Sequence, residues 1–252
     1  MMLCPRDLTT WSVVAADPRT GEVGVALASC VPVHPDALIA LVPGRGAGAV
    51  QGAVDLRRRE ALTRALEAGA PAGEAVAAAD AAAPGSRHQL GAAAIAPATA
   101  ATLTAPGAGA GAGWSGGRAD PPAAVAVQGN SLASPAVVRG AHRAFEDAQK
   151  KQLPLAERLL RALEAGSAAG GDARCGAQTA AGAVLAVARP GDPPYALSGG
   201  LGDTDQGTPE APWLLLSVAE PLGGDNPVRG LRRRYDRWRL RATDHGSARQ
   251  RR

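Results

Sequence analysis

The sequence predicts an α+β fold in which mostly antiparallel strands carry helices on their outer faces. Three observations carry this expectation. The chain opens on a hairpin pattern, its helix signals arrive in pairs, and strand-like segments come after each pair. Helices grouped between runs of strands argue against a doubly wound parallel sheet, in which strand and helix would alternate singly.

Along residues 10–29 apolar positions alternate: Trp11, Val13 and Ala15 on one arm, Val23, Val25 and Leu27 on the other. Between them Asp17-Pro18-Arg19-Thr20-Gly21 makes a turn, because Pro presets φ and Gly accepts a positive one. A third strand is expected over 37–42 and a short extended segment over 47–54. Asp55 then has the chemistry of a helix N-cap, Leu62 and Leu66 share one apolar face, and Gly69 ends that helix. A second helix covers 72–82. Strands are expected over 89–96 and 99–104, the Gly/Ala-rich stretch 105–117 reads as a loop, and 123–127 returns to strand.

Ser134 and Pro135 resemble an N-cap and first helical position, opening a helix through Val137, Val138, Ala141 and Phe145. A further helix runs over 155–165, with Gly166 beyond its end. The hexamer Arg64–Gly69 recurs as Arg161–Gly166, which we read as two similar helix ends rather than a duplication. Strands at 179–188 and 213–219 precede a basic helix from 228 to about 241.

A chain of 252 residues suits one core, and with 46% apolar but only 3% aromatic residues that core must be built from Val, Leu and closely packed Ala. The expected organisation is a single domain over 1–228 and a basic helix or tail over 229–252. That tail is crowded with arginines, among them Arg232, Arg233, Arg234, Arg237, Arg239 and Arg241, in a chain of net charge +4. A terminal charge run of this kind reads as a solvated helix, so nucleic acid is not an expected partner.

Cys4, Cys30 and Cys175 are odd in number and lack CxxC spacing, so neither a disulfide framework nor a zinc site is expected, and a reducing compartment fits. His34, His88, His142 and His245 share no ligand spacing and are expected as ordinary surface or loop residues. There is no secretory signal and no segment of about 18 to 20 apolar residues, so no membrane partner is expected and the cytoplasm is the expected location. The segment Gly44–Ala49 satisfies GxGxxA, yet Ala49–Val54 looks extended rather than helical, so no dinucleotide or other cofactor is expected.

Chemistry concentrates at Thr9-Thr10-Trp11-Ser12, the head of the first strand. A Thr with a free α-amino group holds nucleophile and base in one residue, because that amine titrates near pH ~7.7–8 beside its own hydroxyl. Nine residues precede Thr10, so this use requires cleavage of the Thr9–Thr10 bond. The other reading makes Thr10 a β-prone residue at a strand start. Ser12 shares the face of Thr10, whereas Asp17 falls on the opposite one and reads as a turn residue.

The words of this sequence also resemble a bacterial and archaeal family, the domain of unknown function 1028. The likeness runs through Thr10–Ala26, His88-Gln89-Leu90-Gly91, Val127-Gln128-Gly129-Asn130-Ser131-Leu132-Ala133, Ala169-Gly170-Gly171-Asp172 and the stretch from Pro227 to Arg233. The resemblance implies a four-layer αββα sandwich like that of the N-terminal-nucleophile (Ntn) hydrolases, whose members cut amide bonds. It implies Thr10, Asn130 and Asp172 as catalytic residues and Ser29, Gln128 and Gly129 as substrate contacts, to which Ser12 is added as the neighbour of Thr10 on its strand face. In that scheme the Asn130 amide or Gly129 N–H would stabilise an oxyanion and Asp172 would orient the Thr10 ammonium. The implied substrate is a small or peptide-like amide, with homo-oligomerisation left open. The alternative is a non-catalytic binding scaffold, its glycines serving turns and its polar side chains satisfying loop backbone. The sequence departs from the family's usual pattern at Gln51-Gly52-Ala53, at Trp114-Ser115-Gly116-Gly117 and at Val218-Ala219-Glu220.

Overall fold

The computed structural model describes residues 10–31, 38–53, 55–109, 113–121, 123–193 and 213–240, and the helical backbone of 241–249. Thr9, Cys4 and His34 lie outside the described residues. In chain order the elements are β1 (Thr10–Asp17), β2 (Glu22–Ser29), β3 (Ile39–Val42), β4 (Gly46–Gly52), α1 (Leu56–Glu67) and α2 (Ala72–Ala81). Next come β5 (His88–Ala94), β6 (Thr99–Thr104), β7 (Trp114–Asp120), β8 (Val125–Leu132), α3 (Ala136–Lys150) and α4 (Leu155–Ala168). A 3₁₀ turn (Ala173–Gln178), β9 (Gly182–Ala188), β10 (Leu214–Ala219) and α5 (Pro227–Arg249) complete the described chain.

The strands form a six-stranded sheet, β10-β9-β2-β1-β8-β7, and a four-stranded sheet, β3-β4-β5-β6. All their pairings are antiparallel. Three apolar layers hold the molecule together. Val14, Val25, Leu27, Ile39, Leu41 and Ala49 fill the space between the sheets. Leu62, Leu66, Val76 and Leu90 join α1 and α2 to the outer face of the four-stranded sheet. Trp11, Val13, Phe145, Leu159, Leu163 and Tyr235 join α3, α4 and α5 to the outer face of the six-stranded sheet, with Trp238 in that cluster and Trp114 and Trp213 packed against it. The result is four layers, α-β-β-α. No described helix is long and apolar enough to cross a membrane.

The alternation seen along β1 therefore divides two cores, not core from solvent, and all eight of its residues are buried. Trp11, Val13 and Ala15 face the helices, while Val14 and Ala16 face the other sheet. The expected turn closes the hairpin with Gly21 at φ 72°. Asp55 caps α1, its side chain accepting the Arg57 N–H at 2.9 Å. Gly69 comes after that helix at φ 81°, and the Ala70 N–H reaches back to the Ala65 carbonyl at 3.0 Å.

Two expectations from the sequence are corrected. Trp114–Asp120 is not loop but the edge strand β7, bulged between Trp114 and Gly116. Glycines weaken strand propensity, but pairing with β8 supplies the ladder that local sequence does not reveal. Gly166 does not end a helix, because α4 continues to Ala168 and Gly170, at φ 109°, comes after its end. A Cβ on Gly166 would sit 2.6 Å from Trp11 Nε1 and 2.9 Å from Trp11 Cδ1, so the glycine is there to admit the indole. The two matching hexamers thus sit differently, one at a helix end and one inside a helix.

At the far end of the hairpin, Asp17 is buried and joins the turn to α4. Its carboxylate takes the Arg19 N–H at 3.0 Å and pairs with Arg158 Nη2 at 2.8 Å. Burial acts to raise the carboxyl's pKa, but the Arg19 N–H and the Arg158 charge outweigh it and hold the pKa below its ordinary value. Stability from this group is present above the unfolded aspartate's pKa of ~3.9 and is lost as pH falls toward the depressed folded value. Urea midpoints measured from pH 7 down to 3 should therefore fall less steeply for Asp17→Asn than for the wild type, and parallel curves would refute the coupling. Gly140, also inside a helix, has only ordinary contacts, at 3.6 Å and beyond. Gly140→Ala should stabilise by up to ~1 kcal/mol, whereas Gly166→Ala should destabilise by about 1–3 kcal/mol in the same denaturation assay.

Candidate functional site

The head of β1 lies where the two sheets meet. Thr10 pairs with Ser29 across β1 and β2, and both are buried. Two residues on, Ser12 points into the space between the sheets, where the apolar filling gives way to amides. The Ser12 hydroxyl donates to Gln51 Oε1 at 2.8 Å and accepts from Gln128 Nε2 at 2.6 Å. Gln51 Nε2 donates to the Thr10 carbonyl at 3.0 Å and to Gln89 Oε1 at 2.7 Å. Gln89 Oε1 also accepts from Asn130 Nδ2 at 3.3 Å, while Gln89 Nε2 reaches Thr104 Oγ1 and the carbonyls of Gly116 and Gly129.

One polar cluster thus draws on β1, β4, β5 and β8, and so on both sheets. Ser12, Gln51, Gln89, Gln128 and Asn130 are all essentially without exposed surface. Two of its acceptors, Gln128 Oε1 and Asn130 Oδ1, are buried without a hydrogen-bond partner. Orphan acceptors of this kind are costly, at roughly 1–3 kcal/mol each. Immediately after Asn130 the backbone of Ser131 takes φ 55°, a left-handed conformation that residues other than glycine rarely adopt. Local strain of this sort gathers at functional sites.

Asp172 stands at the same end of the six-stranded sheet. It bridges to Leu132, the last residue of β8, and caps the 3₁₀ turn. Its carboxylate accepts the Cys30 N–H at 3.1 Å, directly after Ser29, and the Arg174 N–H at 3.0 Å. Arg174 closes on the carboxylate with Nε at 3.1 Å and Nη2 at 2.9 Å. Gly129 lies within β8, where a Cβ would meet Leu132 Cδ1 at 2.5 Å, and its carbonyl takes the Gln89 amide. Ser12, Gln128 and Asn130 are therefore joined in one network that touches Thr10 through its carbonyl, while Ser29 and Asp172 are linked through Cys30.

Gln51 and Gln89 are the members that sequence reasoning does not select. Gln89 stands in the family-like word His88–Gly91, and its signal is a long amide amid a run otherwise built of small and apolar residues. Its amide partners Gln51 and Asn130, 38 and 41 residues away in the chain, cannot be read from spacing.

The histidine reading is corrected, since His88 and His142 are both buried, and His88 Nε2 lies 2.7 Å from Asp80 Oδ1. The cysteine reading is corrected too. Cys30 and Cys175 form a disulfide across 145 residues, with Cα atoms 5.6 Å apart. Pairing of β2 with β9 brings the two ends together, which no local spacing announces. The bond removes the cysteine argument for a reducing compartment. A cross-link closing so long a loop contributes about 2–5 kcal/mol. The Cys30→Ser/Cys175→Ser chain should lose that much unfolding free energy and show a lower denaturation midpoint, insensitive to reductant, while the wild type should fall to match it once reduced. Equal midpoints for oxidised and reduced wild type would refute this.

Two likenesses place the molecule among known proteins. The family model described as "Family of unknown function (DUF1028)" matches residues 10–207. The crystal structure of protein SPO2555 from Silicibacter pomeroyi, described with the same family model, is similar with a TM-score of 0.69 and 24% identity, over 91% of this chain and 85% of that one. At that identity the likeness shows a shared fold. No curated protein matches. With its match running from Thr10 through β9, the chain belongs to the family of unknown function DUF1028.

Proposed function

We propose that this protein is an amide-bond hydrolase of the Ntn type, with Thr10 as nucleophile once the bond before it is cut. The observation that carries this reading is a hydroxyl residue at the head of a central strand of an α-β-β-α sandwich, backed by a buried amide cluster with two orphan acceptors. That the family match opens on Thr10 supports it. In the reaction the Thr10 hydroxyl attacks the substrate carbonyl and passes its proton to its own α-amine. The oxyanion is met by the Asn130 amide or the Gly129 N–H, the amine product departs with the proton, and water then cleaves the acyl-enzyme ester. Ser12, Ser29 and Gln128 line the substrate side, and Asp172 orients the ammonium.

A specific observation favours a second reading, a binding scaffold with Thr10 uncut. Thr10 has no exposed surface, and both oxygens of Asp172 are already engaged by Arg174. Intact mass and N-terminal sequencing of C-terminally tagged protein separate the two. A chain beginning at Thr10, with turnover of chromogenic acyl-amino-acid anilides, is the expected result. Thr10→Ala should abolish that turnover, and the wild-type rate should fall as pH drops below ~7.7, where the α-amine becomes protonated. A chain that keeps the residues before Thr10 would refute the nucleophile and leave the scaffold.

A further inference from the structure

We propose that Asp120, His142 and Glu146 bind a divalent transition-metal ion, Zn²⁺ or Mn²⁺ by their donor chemistry, that fastens the edge strand β7 to helix α3. The three residues come from two elements in contact. His142 and Glu146 stand one turn apart on α3, which packs over β7 and β8, and Asp120 is the last residue of β7. One ligand atom from each residue lies within 4.8 Å of the others. His142 Nδ1 and Glu146 Oε2 are 3.4 Å apart, which matches the edge of a tetrahedron whose metal–ligand bonds are about 2.1 Å. Asp120 and Glu146 are half-exposed and can turn to close the remaining distance, whereas the imidazole is fixed.

A second observation sets this group apart from an ordinary helical ion pair. His142 is only 2% exposed and its ring is held with Nδ1 toward Glu146, while the buried Nε2 is the nitrogen left to carry the ring proton when Nδ1 ligates. Burial holds the imidazole's pKa below its ordinary value, with Arg118 acting in the same sense and Glu146 and Asp120 opposing. A neutral ring is the form that ligates a metal. Two carboxylates against the single exposed Arg118 leave the cluster net negative. An imidazole with two carboxylates suits borderline ions such as Zn²⁺ and Mn²⁺ better than Ca²⁺ or Mg²⁺, which prefer oxygen alone.

The site is remote from Thr10. Ala15 and Asp120 both pair with Val125, so Asp120 lies level with Ala15, five residues farther along the sheet than Thr10, or about 17 Å at ~3.3 Å per residue. The proposal is therefore independent of the amidase reading. An ion there would anchor a half-exposed, glycine-bearing edge strand that has a ladder partner on one side only.

The test uses the full chain without a polyhistidine tag, stripped with chelator and dialysed. Zn²⁺ is titrated by calorimetry and Co²⁺ by its visible absorption, with the thermal midpoint followed in both. One ion per chain and a midpoint that climbs with metal concentration are expected. Asp120→Asn and Glu146→Gln, both at half-exposed positions, should stay folded and lose roughly tenfold or more in affinity, and His142→Gln should abolish the Co²⁺ spectrum. Absence of uptake by the wild type, or uptake that survives unchanged in Asp120→Asn and Glu146→Gln, would overturn the site.

Discussion

The hydrogen bonds of Gln89 fix how the two sheets face each other. Apolar side chains such as Val14, Leu27, Leu41 and Ala49 glue the sheets together without preferring one alignment, because the hydrophobic effect has no direction. The amides do prefer one. Gln89 on the four-stranded sheet binds Asn130 and the Gly116 and Gly129 carbonyls of the six-stranded sheet, while Gln51 reaches across to Ser12 and the Thr10 carbonyl. A slip of the sheets would leave several buried donors and acceptors unpaired at once, in surroundings where each loss is felt strongly. The place where the sheets are pinned and the place where Thr10 is held are therefore the same.

The absence of bulk is what lets those amides meet. Gly91 faces Gln128, and any side chain there would occupy the space of its amide. On the other face of the same sheet Gly46 and Gly48 lie against Leu66 and Leu62 of α1. A core of Ala and Gly allows strands and helices to approach closely, and small residues in β4 and β5 convert that proximity into specific contacts.

Elements governed by local chemistry were legible in the sequence. The Asp17–Gly21 turn, the Asp55 cap and the Gly69 helix end each depend on neighbours a few residues away, and each is found where its residues point. What escaped was set by distant partners: the ladder of β7 with β8, the indole that Gly166 admits, and the Cys30–Cys175 bond. The site divides in the same way. Ser12 could be selected because it shares a strand face with Thr10, and Gln128 and Asn130 because they stand in a word that resembles the family's. Gln51 and Gln89 join them only through the crossing of two sheets. His142 carried a signal that a search for His-x-x-x-His spacing passes over, namely a carboxylate four residues later on the same helix.

The distribution of the indoles has a practical consequence. Trp11 and Trp238 belong to the core beneath α3, α4 and α5, and Trp114 and Trp213 pack against it. All four tryptophans of the chain are thereby gathered on one side of the molecule. Intrinsic emission reports the environment of that half alone, and the layer of α1 and α2 with its four-stranded sheet is optically silent in that channel. If the layers come apart in sequence rather than together, fluorescence and far-ultraviolet dichroism will trace different transitions, and their separation measures how tightly the amide-pinned sheets couple the two halves.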